Sequence, residues 1–216
     1  MRASICRRYI RRRIFTGMTI SYKYDGTLYL NITNRCTNAC EFCVRTVSDG
    51  FYSDQPLWLE REPTREEIIA DILSHDLTAY RELVFCGYGE PTCRLDDMLW
   101  VCGEVRRHSS IPIRINTNGQ SDLIYGRRTA PDFRGLADVV SVSLNTADAA
   151  SYQKLCHCEF GEKAYDALIA FAADVKQFVP HVILSVVHPT IPDEDIEKCR
   201  AIAQEAGVDF RVRELV

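Results

Sequence analysis

Short runs of β-forming residues alternate along this chain with amphipathic helical stretches, and that alternation limits it to few architectures. Residues 27–32, 83–86, 111–115, 139–144, 181–187 and 208–212 read as strands. Between the first two, Thr64-Arg65-Glu66-Glu67 has the form of a capping box, and Ile68, Ile69, Ile72 and Leu73 follow on one helical face. Leu95, Met98, Leu99, Cys102 and Val105 recur at helical spacing after the second strand. Residues 162–179 carry a stripe of Tyr165, Leu168, Ile169, Ala172 and Val175. Asp193 is placed to cap a last helix bearing Ile196, Cys199, Ile202 and Ala206, which Gly207 would stop.

Strand–helix units of about 30 residues imply a parallel sheet with right-handed crossovers. Short apolar strands suit burial on both faces. The expected class is α/β, a partial (β/α)6 TIM-like barrel with parallel strands. Residue count alone suits an open doubly wound sheet equally well. In either case ligands gather at the carboxyl ends of the strands. The polar motifs sit there: Asn34 and a cysteine loop, Gly87 to Pro91, Asn116-Thr117-Asn118-Gly119, Ser143 with Asn145, and His188.

The cysteine loop is the most specific of them. Cys36, Cys40 and Cys43 lie within eight residues, in the run Cys-Thr-Asn-Ala-Cys-Glu-Phe-Cys. Structural zinc normally takes four ligands, often as two separated pairs, and no second C-x-x-C pair or nearby His follows. The Cys-Pro ending of two-cluster ferredoxins is missing too. Buried core cysteines are common, yet three with polar neighbours just after a strand suit a core poorly. Three thiolates can hold three irons of a cubane and leave the fourth open to a small molecule.

A strand leading into C-x3-C-x-Φ-C, then a later strand ending in Gly87-Tyr88-Gly89-Glu90-Pro91, resembles the radical S-adenosylmethionine (SAM) superfamily. Within it the chain is most similar to the TatD-associated radical SAM family, whose start resembles Met18-Thr19-Ile20-Ser21-Tyr22. The resemblance implies a [4Fe-4S] cluster on Cys36, Cys40 and Cys43, with SAM chelating the open iron. One electron would then cleave SAM to methionine and a 5′-deoxyadenosyl radical that abstracts hydrogen from substrate. It implies that Gly87, Tyr88, Gly89, Glu90 and Pro91 meet the SAM amino group, Glu90 offering negative charge to an ammonium. Tyr88 stands where a second glycine is commoner, so its ring is expected towards the substrate space. Asn116 and Asn118 would lie near methionyl or ribose groups, although Asn-Gly is also a plain turn signal. Ser143 and Asn145 resemble ribose- and carboxylate-binding positions, and Phe42 would pack on adenine. His188 has three readings: a SAM or substrate contact, a proton donor, and a structural residue before Pro189.

The remaining cysteines carry less. Cys156-His157-Cys158 suggests an auxiliary cluster, but residues two apart on a helix face different ways and no further pair follows. Cys86, Cys93, Cys102 and Cys199 read as core or near-site residues.

Residues 1–17 hold six arginines and no acid, and read as a basic, disordered extension ahead of one domain over residues 18–216. Setting those six aside takes the net charge from −4 to −10, which argues against bulk phosphate binding by the catalytic body. No run approaches about 18 apolar residues, so no membrane span is expected. Ten cysteines without a secretion signal indicate a reducing, cytoplasmic setting. The expected partners are a small-molecule or nucleotide-related substrate, a one-electron donor such as flavodoxin or ferredoxin, and a functional link to a TatD-type hydrolase. Two other readings are an iron–sulfur electron carrier or sensor without SAM chemistry, and a zinc-binding module.

Overall fold

The computed structural model describes residues 18–47 and 57–215; the basic segment 1–17 lies outside it. Seven strands form one sheet: β1 (Ser21–Tyr24), β2 (Thr27–Leu30), β3 (Leu83–Phe85), β4 (Ile113–Thr117), β5 (Val139–Ser143), β6 (His181–His188) and β7 (Asp209–Glu214). They are hydrogen-bonded in chain order from β1 to β7. The pairs from β2 to β7 are all parallel. A doubly wound sheet reverses its strand order at a switch point. This order never reverses, so the winding is that of a barrel, left open between β7 and β1.

β1 was not among the expected strands. It pairs antiparallel with β2, with Tyr24 opposite Thr27, across Asp25 and Gly26 at φ 43° and 68°. Positive φ at both central residues gives the hairpin twist that Asp-Gly favours.

The helices are α1 (Val44–Val47), α2 (Arg65–Leu73), α3 (Leu95–His108), α4 (Ser121–Tyr125), α5 (Ala149–Cys156), α6 (Lys163–Val175) and α7 (Asp193–Glu205). The Thr64 box forms as expected: its hydroxyl accepts from Glu67 N at 3.1 Å while Glu67 Oε2 accepts from Thr64 N at 2.8 Å. Pro192, not Asp193, is the residue before α7, and Gly207 follows it at φ 69°. α6 ends at Val175, four residues before the expected end, and the fourth strand reaches Thr117, two residues further than expected.

Ile113, Ile115, Val140, Val142, Leu184 and Val186 are fully buried under the helices. From α3 and α6, Met98, Val101, Leu168 and Phe171 meet that layer. Complete burial of such side chains stabilises by about 1.5–3 kcal/mol each, which fixes the strand ends that carry the polar residues. A satellite cluster of Tyr22, Leu57 and Tyr88 lies apart from this core.

Candidate active site at the carboxyl ends of the strands

The cysteine loop follows β2 and is held from three sides. The last turn of α5 offers two carbonyls: Ala39 N donates to Cys156 O at 2.9 Å and Glu41 N to Leu155 O at 3.1 Å. Thr37 Oγ1 donates to Gln120 Oε1 at 2.6 Å and accepts from Asn118 Nδ2 at 2.9 Å. Asn38 Nδ2 donates to Tyr152 Oη at 3.0 Å, and Gln120 Nε2 donates to Asn38 Oδ1 at 3.0 Å. These groups are buried, so their donors and acceptors satisfy one another inside a low-dielectric lattice that resists rearrangement. None of Thr37, Asn38, Gln120 and Tyr152 was foreseen. A run of polar residues beside a cysteine motif was the available signal, but their partners are 83 and 114 residues away in sequence.

Glu90 joins the end of β3 to the end of β4. Its Oε1 accepts from Thr92 N at 3.0 Å, Thr92 Oγ1 at 2.6 Å and Thr117 Oγ1 at 2.7 Å, and its Oε2 accepts from Asn118 N at 2.7 Å. Burial pushes its carboxyl above the usual carboxylate range, and these donors pull it part of the way back. The carboxylate therefore braces the loops through protein donors.

The glycines of the motif sit close against neighbouring backbone. A Cβ on Gly87 would lie 2.8 Å from Asn31 Cβ, and one on Gly89 would lie 2.6 Å from Arg35 O. The close approach these glycines permit is to the cysteine-bearing segment itself. Tyr88 is 4% exposed, packs with Tyr22 and Leu57, and stands edge-on to Trp58 at 5.3 Å. Pro91 is buried and opens a 3-10 turn capped by Glu90.

The other predicted residues are spread along the same rim. Asn118 is committed to Thr37 and to Gln120 N at 3.1 Å. Asn145 is buried at φ 65°; its Nδ2 donates to Cys156 Sγ at 3.4 Å. Ser143 is half-buried opposite Ser185 in register. Phe42, Cys40 and Cys43 line a cavity of about 180 Å³ with Val187 and Arg213. His188 stands outside the buried lattice, with Nδ1 3.3 Å from Glu214 Oε2 and a cis peptide bond to Pro189.

Burial pushes the Cys36 thiol up to about 12, helped by the Glu90 charge. The neighbouring Cys156 thiol and burial raise Cys40. Arg45 offsets this: its Nη1 donates to Asn34 O at 3.2 Å and its Nη2 to Asn38 O at 3.3 Å, and despite burial Cys43, Cys36 and Cys40 hold its pKa above the usual value. A guanidinium beside three thiols favours thiolates, the ligand form. Cys156 and Cys158 are both buried; Cys158 Sγ donates to Gln120 Oε1 at 3.4 Å. They brace the loop from behind.

Three thiols in one braced loop match the donor set of an iron–sulfur cluster with an open iron. Among the described residues, no three His, Cys, Asp or Glu side chains converge on one metal ion. A cubane asks for something else, since each thiolate takes its own iron. Two buried amide oxygens at the strand ends, Asn116 Oδ1 and Asn145 Oδ1, have no protein donor. Buried acceptors of this kind suit the ammonium and hydroxyl groups of a bound ligand.

The chain matches the model of the radical SAM superfamily over residues 30–201. It belongs to the radical SAM superfamily. Radical SAM proteins are enzymes that use a [4Fe-4S] cluster and SAM, and this chain is such an enzyme. Solved structures similar to it include a radical SAM methyltransferase from Sphaerobacter thermophilus, at TM-score 0.61 and 16% identity over 90% of this chain and 68% of that one. Streptococcus suis SuiB, bound to SAM, aligns at TM-score 0.60 and 20% identity over 87% of this chain and 38% of SuiB. HydG, a maturase of the [FeFe]-hydrogenase, aligns at TM-score 0.63 and 16% identity over 88% of this chain and 43% of HydG. The radical SAM chain thus spans less than half the length of SuiB and HydG, and at these identities the likeness is one of fold. No curated protein matched.

Proposed function

We propose that Cys36, Cys40 and Cys43 hold the [4Fe-4S] cluster of this radical SAM enzyme, and that SAM lies along the rim from Phe42 to Asn145. When bound, the cluster and SAM supply a one-electron cleavage that yields a 5′-deoxyadenosyl radical able to abstract hydrogen from substrate. The residues' own tasks follow from their contacts. Glu90, Asn118, Thr37 and Gln120 fix the loop against the strand ends, and Asn116 Oδ1 and Asn145 Oδ1 accept from polar groups of the ligand. Phe42 offers an apolar face next to Cys43, and Ser143 a hydroxyl one strand away. His188 lies further out, at the edge of the substrate space.

The observation that carries this reading is the buried lattice locking a three-thiol loop beside two unsatisfied amide oxygens. An electron carrier would have no use for those oxygens. On the sequence resemblance we further infer membership of the TatD-associated family, a nucleotide-related or other small substrate, and a functional link to a TatD-type hydrolase. Flavodoxin or ferredoxin would serve as reductant in a cytoplasmic setting. Among the described residues no helix is long and apolar enough to cross a membrane.

The test is anaerobic reconstitution with iron and sulfide, reduction in the presence of SAM, and assay of 5′-deoxyadenosine. The product should form with the unaltered chain and disappear in Cys36→Ala, Cys40→Ala and Cys43→Ala. Undiminished product in any of the three would remove that cysteine from the cluster.

A further inference from the structure

The lumen of the half-barrel carries a second chemical signature. Along β4, Ile113, Ile115 and Thr117 are buried, so alternation turns Arg114 and Asn116 to the lumen. Along β7, Phe210 packs against the core, which sends Arg211 and Arg213 to the lumen face. Arginines thus enter one space from the middle of the sheet and from its last strand.

Their environment holds more guanidinium than carboxylate: Arg81, Arg114 and Arg211 share the cavity at the amino ends with Asp25 and Glu82. Arg114 keeps 11% of its side-chain surface exposed and pairs with Glu82 at 2.8 Å, yet its Nε is buried without an acceptor. Arg211 Nε is buried without an acceptor too, and among the described residues Arg211 forms no ion pair with a carboxylate. Burial lowers the pKa of Arg211, and repulsion from Arg114 and Arg213 lowers it further. The whole chain has a net charge of −4, so this concentration of guanidinium is local. On the facing strands Tyr22 stacks on Tyr29 with ring centroids 5.2 Å apart, giving an aromatic wall opposite.

A cavity lies at each rim. A cavity of about 360 Å³ at the amino ends of the strands is lined by Tyr29, Glu82, Arg114 and Arg211 among others. The smaller cavity at the carboxyl ends is lined by Arg213 together with Cys40, Cys43 and Phe42. Arg211 and Arg213 are two positions apart on one strand face, a rise of roughly 7 Å, so one line of guanidinium runs from the lower cavity to the thiol loop.

We propose that Arg114, Arg211 and Arg213 bind an oxyanion, a carboxylate or phosphate group, carried by the substrate. This rests on the reading of the thiol loop as the reaction centre, because Arg213 of the same strand face lines the cavity that Cys40 and Cys43 also line. The planar fork of a guanidinium matches both oxyanions bidentately. Arginines with a purely structural task would find their acceptors within the protein, as Arg94 does with Ile32 O, Pro63 O and Asp97. Arg211 instead lines the cavity and keeps a buried donor without a protein acceptor.

The experiment is calorimetric titration of the reconstituted, oxidised protein, anaerobically and with saturating SAM present so that SAM's own carboxylate site is filled. Inorganic phosphate and malonate are the two probes, and they separate the phosphate and carboxylate sources. Saturable binding of either at one site per chain is expected, weakened at least tenfold in Arg211→Gln and Arg114→Gln. Arg200→Gln, on the outer face of α7, should bind like the unaltered chain. No saturable binding of either probe to the unaltered chain overturns the proposal, whatever the variants do. Equal weakening by Arg200→Gln overturns it as well. Because the titration needs no SAM cleavage, a missing anion site with 5′-deoxyadenosine still formed sinks only this inference. Anion binding without 5′-deoxyadenosine would sink only the cleavage reading.

Discussion

At the scale of single residues, the motif glycines are read most directly from their close packing against the cysteine-bearing segment. Gly89 has space for no side chain, because a Cβ would press on Arg35 O and Thr33 C. Gly89→Ala is expected to cost about 1–3 kcal/mol through overpacking and to loosen the cysteine loop it touches. Gly103, inside α3, is the contrast: a Cβ there would meet only Leu136 Cδ2, at 3.9 Å. Gly103→Ala should stabilise by about 0.5–1 kcal/mol through helix propensity. Denaturant unfolding of both variants checks the pair; equal shifts in the same direction would contradict it. The three cysteines were legible because their spacing is local, all within eight residues. Thr37 and Gln120 were not, because a hydrogen bond spanning 83 residues leaves no local pattern. The packing of Tyr88 was not legible for the same reason: the Tyr22 and Leu57 that cover it belong to other segments.

At the scale of elements, signals that close within one turn survived, and boundaries set by distant packing did not. The Thr64 box was readable from four consecutive residues. Arg61 and the Thr64 backbone N–H hold Glu67 down to about 2 from its ordinary 4.5. A depressed carboxyl contributes stability that is full above the unfolded value and is lost as pH falls through the folded one. The stability difference between the unaltered chain and Glu67→Gln should therefore be constant above about 4.5 and vanish as pH approaches 2. A difference that persisted below pH 2 would contradict the box. Thr64→Ala should cost about 1 kcal/mol at neutral pH. The short β1 carried its own sign in Asp25-Gly26, a strong hairpin signal, but four residues with mixed exposure give little alternation to read. α5 shows what no periodicity reveals: its last carbonyls, of Leu155 and Cys156, serve as the floor of the cysteine loop.

At the scale of the whole molecule, strand order decides the architecture and the rim decides the chemistry. Six parallel strands in unbroken order put every polar motif on one end, as the alternation of signals had implied. What the alternation could not convey was the choice between barrel and doubly wound sheet, since that depends on strand neighbours. β7, the open edge, carries Asp209, Arg211, Arg213 and Glu214 in six residues. Charge on an edge strand discourages pairing with another sheet, and here the same edge supplies two of the lumen arginines. The central claim is that the loop from Cys36 to Cys43 leaves one iron open for SAM. It is tested most directly by the electron paramagnetic resonance spectrum of the reduced, reconstituted protein, recorded before and after SAM is added. A cluster signal that changes shape on addition of SAM is the predicted result; a cluster signal that SAM leaves unaltered would contradict the account.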